Sequence, residues 1–163
     1  MQRITPFLWF ENQAEEAAEY YVSVFNTVRS SADAKVLDAS RYGEGGPGEP
    51  GSVMTVSFEL DGLRFTALNG GPEFSFTEAV SFFVSCDTQE EVDGFWSALT
   101  EGGEESMCGW LKDRYGLSWQ IIPNRLMELL GDPDPARAQR AMKAMLQMRK
   151  IDVPELERAA DAV

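Results

Sequence analysis

The sequence contains no histidine, and this absence excludes several kinds of site at once. A Ser-His-Asp triad and a Cys-His pair both need an imidazole base, so neither can be built. Metal sites with histidine ligands are excluded for the same reason. Metals that prefer oxygen ligands would remain, but these require a cluster of carboxylates.

Cysteine and long apolar runs are also scarce. The two cysteines, Cys86 and Cys108, stand in no spacing that is typical of metal or redox motifs. No apolar run approaches the roughly 20 residues of a bilayer-spanning helix, and the first residues lack the apolar segment of a signal peptide. We therefore expect a cytoplasmic protein that has no membrane partner.

Positive charge is in short supply. The chain has 14 basic and 27 acidic residues among 163, which gives a net charge of −13. Such a surface repels nucleic acid, so no nucleic-acid partner is expected. Basic and acidic residues balance from Arg125 onward, so the excess negative charge lies entirely before that residue. This change in composition indicates a body followed by a tail.

The body contains two segments that are repeated in the same order. Phe7–Glu16 matches Phe82–Glu91, including a Glu-Glu pair, and Gly62–Leu68 matches Gly116–Ile122. Because both matches keep their order along the chain, they predict a duplicated structural module.

Each copy begins with a predicted strand and helix. The apolar strand is Ile4–Phe10 in the first copy and Val80–Ser85 in the second. A capping-box pattern follows each strand and precedes apolar residues at helical spacing. The two patterns are Asn12 with Glu15 and Asp87 with Glu90.

Further strands are predicted after each helix. In the first copy they cover residues 34–40, 53–60 and 63–69, and Asp61-Gly62 is a strong hairpin signal. In the second copy they cover residues 105–112 and 117–123, and the earliest strand is missing or weak. The connections are too short for a parallel doubly wound sheet, so the predicted fold class is α+β with duplicated βαβββ modules.

The tail is predicted to be helical. A short helix covers Arg125–Leu130, and Asp134 then caps a helix that has Pro135 in its first turn and ends near Lys150. Pro154 begins one or two last turns. The predicted parts are residues 1–75, residues 76–123 and a helical tail at 124–163.

The repeated order resembles the vicinal-oxygen-chelate superfamily, which includes glyoxalase I, extradiol dioxygenases and drug-resistance binding proteins. The segments Ile4–Phe10, Phe65–Pro72, Gly109–Asp113 and Tyr115–Gln120 are similar to its PhnB-like branch, often labelled 3-demethylubiquinone-9 3-methyltransferase. This resemblance covers the whole chain. It implies a glyoxalase/bleomycin resistance-like fold in which each module curls a sheet around a cleft, and it implies a homodimer.

The sequence does not support the methyltransferase label of that branch. A methyl donor of the adenosylmethionine type is normally held by a glycine-rich loop after a strand of a parallel sheet. The glycine-dense segment Gly43–Gly51 carries two glutamates and lacks the Lys-Ser/Thr that ends a phosphate loop. We interpret it as a connection between strands; a flap over the cleft or a partner contact is the alternative.

Metal-using members of the superfamily place His or Glu ligands on four strands that face the cleft. The internal match puts Thr66 and Gln120 at one pair of these positions. The other pair is Thr5 with Val80 or Pro6 with Ser81. Neutral hydroxyl and amide oxygens are too weak to hold a divalent transition metal alone, so we expect no metal and no cofactor. A relocated metal site that uses Glu73 or Glu78 is the alternative.

Seven residues are predicted to line a cleft that is neutral at its base and aromatic at its walls, although each aromatic could instead belong to the core. They are Phe7, Trp9, Thr66, Ser81, Phe83, Trp110 and Gln120. The favoured function is metal-free binding of a small apolar or aromatic molecule. The alternatives are an enzyme that uses the same cleft with no metal or a relocated one, and a structural dimer without a ligand. No acid–base pair is visible, so the sequence assigns no catalytic residue.

Overall fold

The computed structural model describes residues 1–163, and its two units, Met1–Phe76 and Thr77–Val163, each contain one four-stranded sheet. Strand, helix and three strands follow one another in both units, so the predicted α+β class with duplicated βαβββ modules is confirmed. None of the helices has the length and apolar composition that crossing a bilayer requires.

The first unit consists of one sheet and one long helix. Its elements are β1 (Phe7–Phe10), α1 (Ala14–Val28), a 3₁₀ turn (Ser30–Ala32), β2 (Lys35–Arg41), β3 (Val53–Leu60) and β4 (Leu63–Asn69). The strand order is β1-β4-β3-β2, in which β1 and β4 are parallel and the other pairs antiparallel. Asp61 and Gly62 both have positive φ, as the predicted hairpin turn requires.

Helix α1 covers one face of this first sheet. Its apolar side chains recur every three or four residues, and Ala17, Ala18 and Tyr21 are fully buried. Alternate strand residues supply the opposite side of the core, among them Phe10 and Phe58. The residues between them point to the other face of the sheet, which α1 does not cover.

The second unit repeats this arrangement and adds three helices. Its elements are β5 (Ser81–Cys86), α2 (Gln89–Thr100), β6 (Glu104–Glu105), β7 (Trp110–Lys112), β8 (Ser118–Pro123), α3 (Asn124–Leu130), α4 (Pro135–Met145) and α5 (Val153–Asp161). The strand order is β5-β8-β7-β6. The weak strand of the second copy is therefore β6, which has only two residues.

The predicted strand over residues 105–112 is wrong because the chain bends in its middle. Cys108 and Gly109 both have positive φ, which is incompatible with an extended strand. Their backbone N–H groups donate to the carbonyls of Met148 and Arg149, each at 2.8 Å. This segment therefore joins the sheet to the tail.

The tail helices pack within the second unit around a core of their own. The buried members of this core are Ile122, Leu126, Leu129, Ala141, Ile151, Leu156 and Ala160. Asp134 caps α4 as predicted, since its carboxylate accepts from the N–H of Ala136 at 3.0 Å. However, α4 ends at Met145 and not near Lys150, and Asp152 caps a further helix.

Both predicted capping boxes are wrong. The N–H of Ala14 at the start of α1 donates to Asn69 Oδ1 on β4, at 2.8 Å, because the parallel strand ends beside the helix. In α2 the box lies one residue later. Thr88 Oγ1 accepts from the N–H of Glu91, and Glu91 Oε1 accepts from the N–H of Asp87.

Asp113 holds the turn between β7 and β8. Its Oδ1 accepts from the N–H groups of Tyr115 and Leu117, at 2.8 and 3.1 Å, and its Oδ2 accepts from Trp119 Nε1 at 2.9 Å. The residue is 2 % exposed. Removing this carboxylate would leave three donors without their acceptor in a buried environment.

We predict that Asp113→Ala lowers the free energy of unfolding of the second unit by about 2–4 kcal/mol, because the three donors become unpaired. Asp113→Asn keeps one acceptor oxygen but presents an N–H group toward Trp119. Its loss of stability is therefore smaller than that of Asp113→Ala. The exposed residue Glu90 on α2 provides the control, and Glu90→Ala changes stability by less than about 0.5 kcal/mol. Urea unfolding followed by circular dichroism measures all three, and equal stability of Asp113→Ala and Glu90→Ala would contradict the assigned role.

Candidate functional site

Each sheet has an open face, which is the face that the helix of its unit, α1 or α2, does not cover. On the first sheet this face carries Phe7, Trp9 and Thr66, and Thr66 lies directly beside Phe7 in the parallel register. Phe7 is 60 % exposed, whereas its neighbour Leu8 is buried under α1. The three first-module residues predicted to line a cleft therefore share one face.

Trp9 is held in place on this open face. Its indole Nε1 donates to the carbonyl of Gly71 at 2.9 Å, and the ring of Phe74 stands edge-on to it at a centroid distance of 4.8 Å. Gly70 lies against the indole so closely that a Cβ there would be 2.4 Å from a ring atom. The Gly70-Gly71 pair therefore allows the chain to pass over the tryptophan.

The open face of the second sheet carries two rows of side chains. Trp110, Gln120 and Phe83 lie side by side on β7, β8 and β5. The next row, two residues further along each strand, consists of Lys112, Ser118 and Ser81. Gln120 Nε2 donates to Ser81 Oγ at 2.9 Å and links the two rows. Phe83, at 50 % exposure, leaves its ring uncovered.

The tail closes one end of this second open face. Ile122 is the next residue of β8 that points to the face of Gln120, yet it is only 4 % exposed. It is buried because it packs into the tail core with Leu126 and Ile151. The rows of Gln120 and Ser118 are the part of the face that the tail core leaves open.

A pocket of about 180 Å³ lies beside the row of Ser118. It is lined by Glu78, Glu104, Glu105, Ser106, Trp110, Leu111, Lys112 and Ser118. Ser118 is 1 % exposed, and its Oγ has no hydrogen-bond partner. It is the only buried side-chain oxygen or nitrogen of the chain that lacks a hydrogen-bond partner.

An ion pair stands at this pocket. Lys112 Nζ lies 2.8 Å from Glu78 Oε1. The hydrogen bond from the Lys112 ammonium holds the pKa of Glu78 below its ordinary value. The same hydrogen bond raises the pKa of Lys112, and the nearby charge of Glu104 adds a smaller effect in the same direction. Both groups are therefore charged at neutral pH.

The first unit has a larger cavity, of about 390 Å³, at the end of its strands. Pro47 and Gly48 of the glycine-dense segment form part of its wall, together with Glu11 and Glu15. Tyr42 supports this wall, because its hydroxyl donates to the carbonyl of Asn69 at 2.5 Å. The glycine-dense segment itself connects β2 to β3 and is not followed by a helix.

The strand registers correct the internal alignment by one residue. Thr66 has Phe7 as its parallel partner, and Gln120 has Phe83, so Phe7 corresponds to Phe83 and not to Phe82. The residue equivalent to Thr5 is then Ser81, and the predicted pairs of Thr5 with Val80 and Pro6 with Ser81 are both wrong. The alignment slipped because either of two consecutive phenylalanines can match Phe7.

The corrected positions do not fit the divalent metal that the superfamily resemblance implies. They carry Thr5, Thr66, Ser81 and Gln120, which are neutral, and the amide of Gln120 is already bonded to Ser81. No group of three or more Cys, Asp or Glu residues is arranged to hold a metal ion. Glu78, considered for a relocated site, is the ion-pair partner of Lys112.

Together, the duplicated modules and their sheet order define a glyoxalase/bleomycin resistance-like fold of the vicinal-oxygen-chelate superfamily. Within it, the chain belongs to the PhnB-like family named 3-demethylubiquinone-9 3-methyltransferase, whose sequence model matches residues 2–122. The match ends before the tail. A comparison with curated proteins finds no match.

Solved structures agree with this assignment. A PhnB protein of Bacillus cereus, described by the same methyltransferase name, is 37 % identical, with a TM-score of 0.65 over 75 % of this chain and 99 % of that one. A Pseudomonas aeruginosa protein has a TM-score of 0.61 at 19 % identity, covering 76 % and 98 %. The fosfomycin resistance protein FosX of Listeria monocytogenes has a TM-score of 0.51 at 14 % identity, covering 78 % and 97 %. The last two show the fold alone.

The seven predicted cleft residues thus lie on the two open faces, three on the first sheet and four on the second; that they contact a ligand stays a prediction. Ser118 and Glu104 are residues of this pocket that the sequence did not suggest as candidates. Ser118 precedes Gln120 by two residues, so strand alternation alone places it on the same face. Its burial and missing partner depend on the neighbouring strands and could not be predicted.

We predict that Glu78→Gln lowers the pKa of Lys112 toward its ordinary value, because the carboxylate that stabilises the ammonium is removed. The measurement is a pH titration of the Lys112 side-chain signals by NMR. Glu101→Gln, an exposed change at the end of α2, serves as the control and leaves this pKa unaltered. An unchanged Lys112 pKa in Glu78→Gln would show that the ion pair does not form in solution.

Proposed function

We propose that this protein binds a small apolar or aromatic molecule, without a metal, on the open face of its second sheet. The observation that carries the proposal is the row of Trp110, Gln120 and Phe83, in which a half-exposed aromatic ring lies beside a neutral amide. Aromatic walls with few polar groups are the usual composition of a small-molecule site.

The burial pattern supports this choice of face. In β5 the apolar residues Val84 and Cys86 are buried under α2, so the core does not need Phe83 as well. A large apolar side chain left in water forfeits the free energy that its burial would provide. A bound aromatic ring would recover part of it. The open face of the first sheet, with Phe7 and Trp9, has the same composition.

Methyl transfer is not part of the proposal, although the family carries that name. The glycine-dense segment joins two antiparallel strands, and the adenosylmethionine donor is held by a glycine-rich loop of a parallel sheet. The residues present therefore do not fit this cofactor. The homodimer implied by the family resemblance also stays a prediction.

We predict that 2-naphthol binds the metal-free protein saturably and that Phe83→Ala weakens this binding about tenfold, because the ring contact is lost. Met127→Ala removes a similarly exposed apolar side chain from α3 and leaves the affinity unchanged. Fluorescence titration of chelator-treated protein measures all three affinities.

Thermal unfolding with Mn²⁺ and Ni²⁺ completes this test. We expect that neither ion at micromolar concentration raises the melting temperature or the affinity for 2-naphthol. An ion that bound the native state alone would have to raise the stability of the protein. Binding that appears only with metal would favour the enzyme alternative with a relocated metal. Absence of binding by 2-naphthol would favour the structural dimer.

A further inference from the structure

The hydroxyl of Ser118 is buried without a hydrogen-bond partner, and this is unusual in a folded protein. Such a group costs free energy, because it has lost its hydrogen bonds to water and gained none in return. Ser81 and Lys112 flank it on the neighbouring strands. Gln120 already donates to Ser81, and Lys112 already pairs with Glu78, so neither neighbour satisfies Ser118. The pocket that Ser118 lines is where a partner would have to lie.

The charges around this pocket determine whether a cationic or an anionic ligand group is favoured. Three carboxylates line it, on Glu78, Glu104 and Glu105, against the single ammonium of Lys112. Glu105 accepts a hydrogen bond from the indole of Trp96 at 2.8 Å, and its other oxygen lies 3.7 Å from Arg149 Nη1. Since Glu78 pairs with Lys112 and Glu105 with Arg149, the excess negative charge at the pocket is that of Glu104. Glu104 lies opposite Lys112 in the strand register. The excess of carboxylates favours a cationic group over an anionic one.

The row of Trp110, Gln120 and Phe83, here called the aromatic row, lies two residues away along the strands on the same face. Residues two apart on a strand are separated by about 7 Å. A short alkyl linker could therefore join a ring at Gln120 to a polar group at Ser118. Trp110 belongs to the aromatic row and also lines the pocket. An aromatic ring beside a cationic group is itself a favourable arrangement.

We propose that the pocket at Ser118 binds the ammonium group of a small arylalkylamine whose ring lies on the row of Phe83, Gln120 and Trp110. This inference rests on the proposed function and adds the chemical class of the ligand. The ammonium donates one N–H to Ser118 Oγ and lies near the carboxylate of Glu104. No bond is made or broken in this step.

The first experiment compares three probes of similar shape at equal ionic strength. They are 2-phenylethylamine, 2-phenylethanol and 3-phenylpropionate, which are cationic, neutral and anionic at pH 7 and have two methylene groups between the ring and the polar group. We expect the amine to bind about tenfold more tightly than the alcohol, and the carboxylate to bind most weakly. An NMR titration that follows the Ser118 amide and Trp110 indole signals measures the affinities.

Four variants test the assigned contacts. Ser118→Ala removes the unpartnered hydroxyl, so it raises the melting temperature of the free protein by about 1–4 °C while amine affinity falls to that of the alcohol. Glu104→Gln weakens amine binding roughly threefold to tenfold, and Lys112→Met strengthens it by a similar factor. Glu90→Gln makes the same charge change on the exposed surface of α2 and has no effect.

The outcomes separate this inference from the proposed function. Equal binding of the amine and the alcohol overturns the ammonium site but leaves the aromatic site intact. Tightest binding by the carboxylate overturns it in favour of anion capture by Lys112. If none of the three probes binds, both proposals fail. A Ser118→Ala variant that is less stable and binds the amine normally shows that the serine is only structural.

Discussion

The alternation of side chains along β5 and β8 is the constraint on which the site depends. In both strands one set of residues packs under α2 and the intervening set faces away, so Phe82 and Trp119 lie on the covered face of the sheet while Phe83 and Gln120 lie on the open face. A shift of one residue would exchange the two sets. The buried carboxylate of Asp113 helps to fix β8 in register, because it binds Trp119 and the turn before the strand.

The chemistry of the open faces follows from what these positions carry. Thr5, Thr66, Ser81 and Gln120 offer neutral oxygens, so the fold keeps the strand framework of its superfamily without a set of metal-binding side chains. The ion pair of Lys112 with Glu78 and the unpartnered Ser118 are polar features of the second sheet. An unpartnered hydroxyl lowers stability, and functional sites are where proteins commonly tolerate that cost.

Much of the fold could be predicted from local signals. The bounds of β3 and β4 agree with the sequence because alternation is regular there and Asp61-Gly62 fixes the turn between them. These local signals gave wrong predictions where a residue distant in the sequence determines the local structure. Asn69 caps α1 from another strand, and the bend at Cys108 and Gly109 binds the tail. For the site, alternation places the aromatic row correctly, whereas the isolation of Ser118 depends on how its neighbours on two other strands are already bonded.

The most direct measurement is the set of intermolecular nuclear Overhauser effects between this protein and bound 2-phenylethylamine. The account predicts contacts from the ring protons to Phe83 and Trp110, and from the methylene group beside the nitrogen to Ser118. Contacts from the same ligand to Tyr42 and Pro47, in the cavity of the first unit, would contradict it.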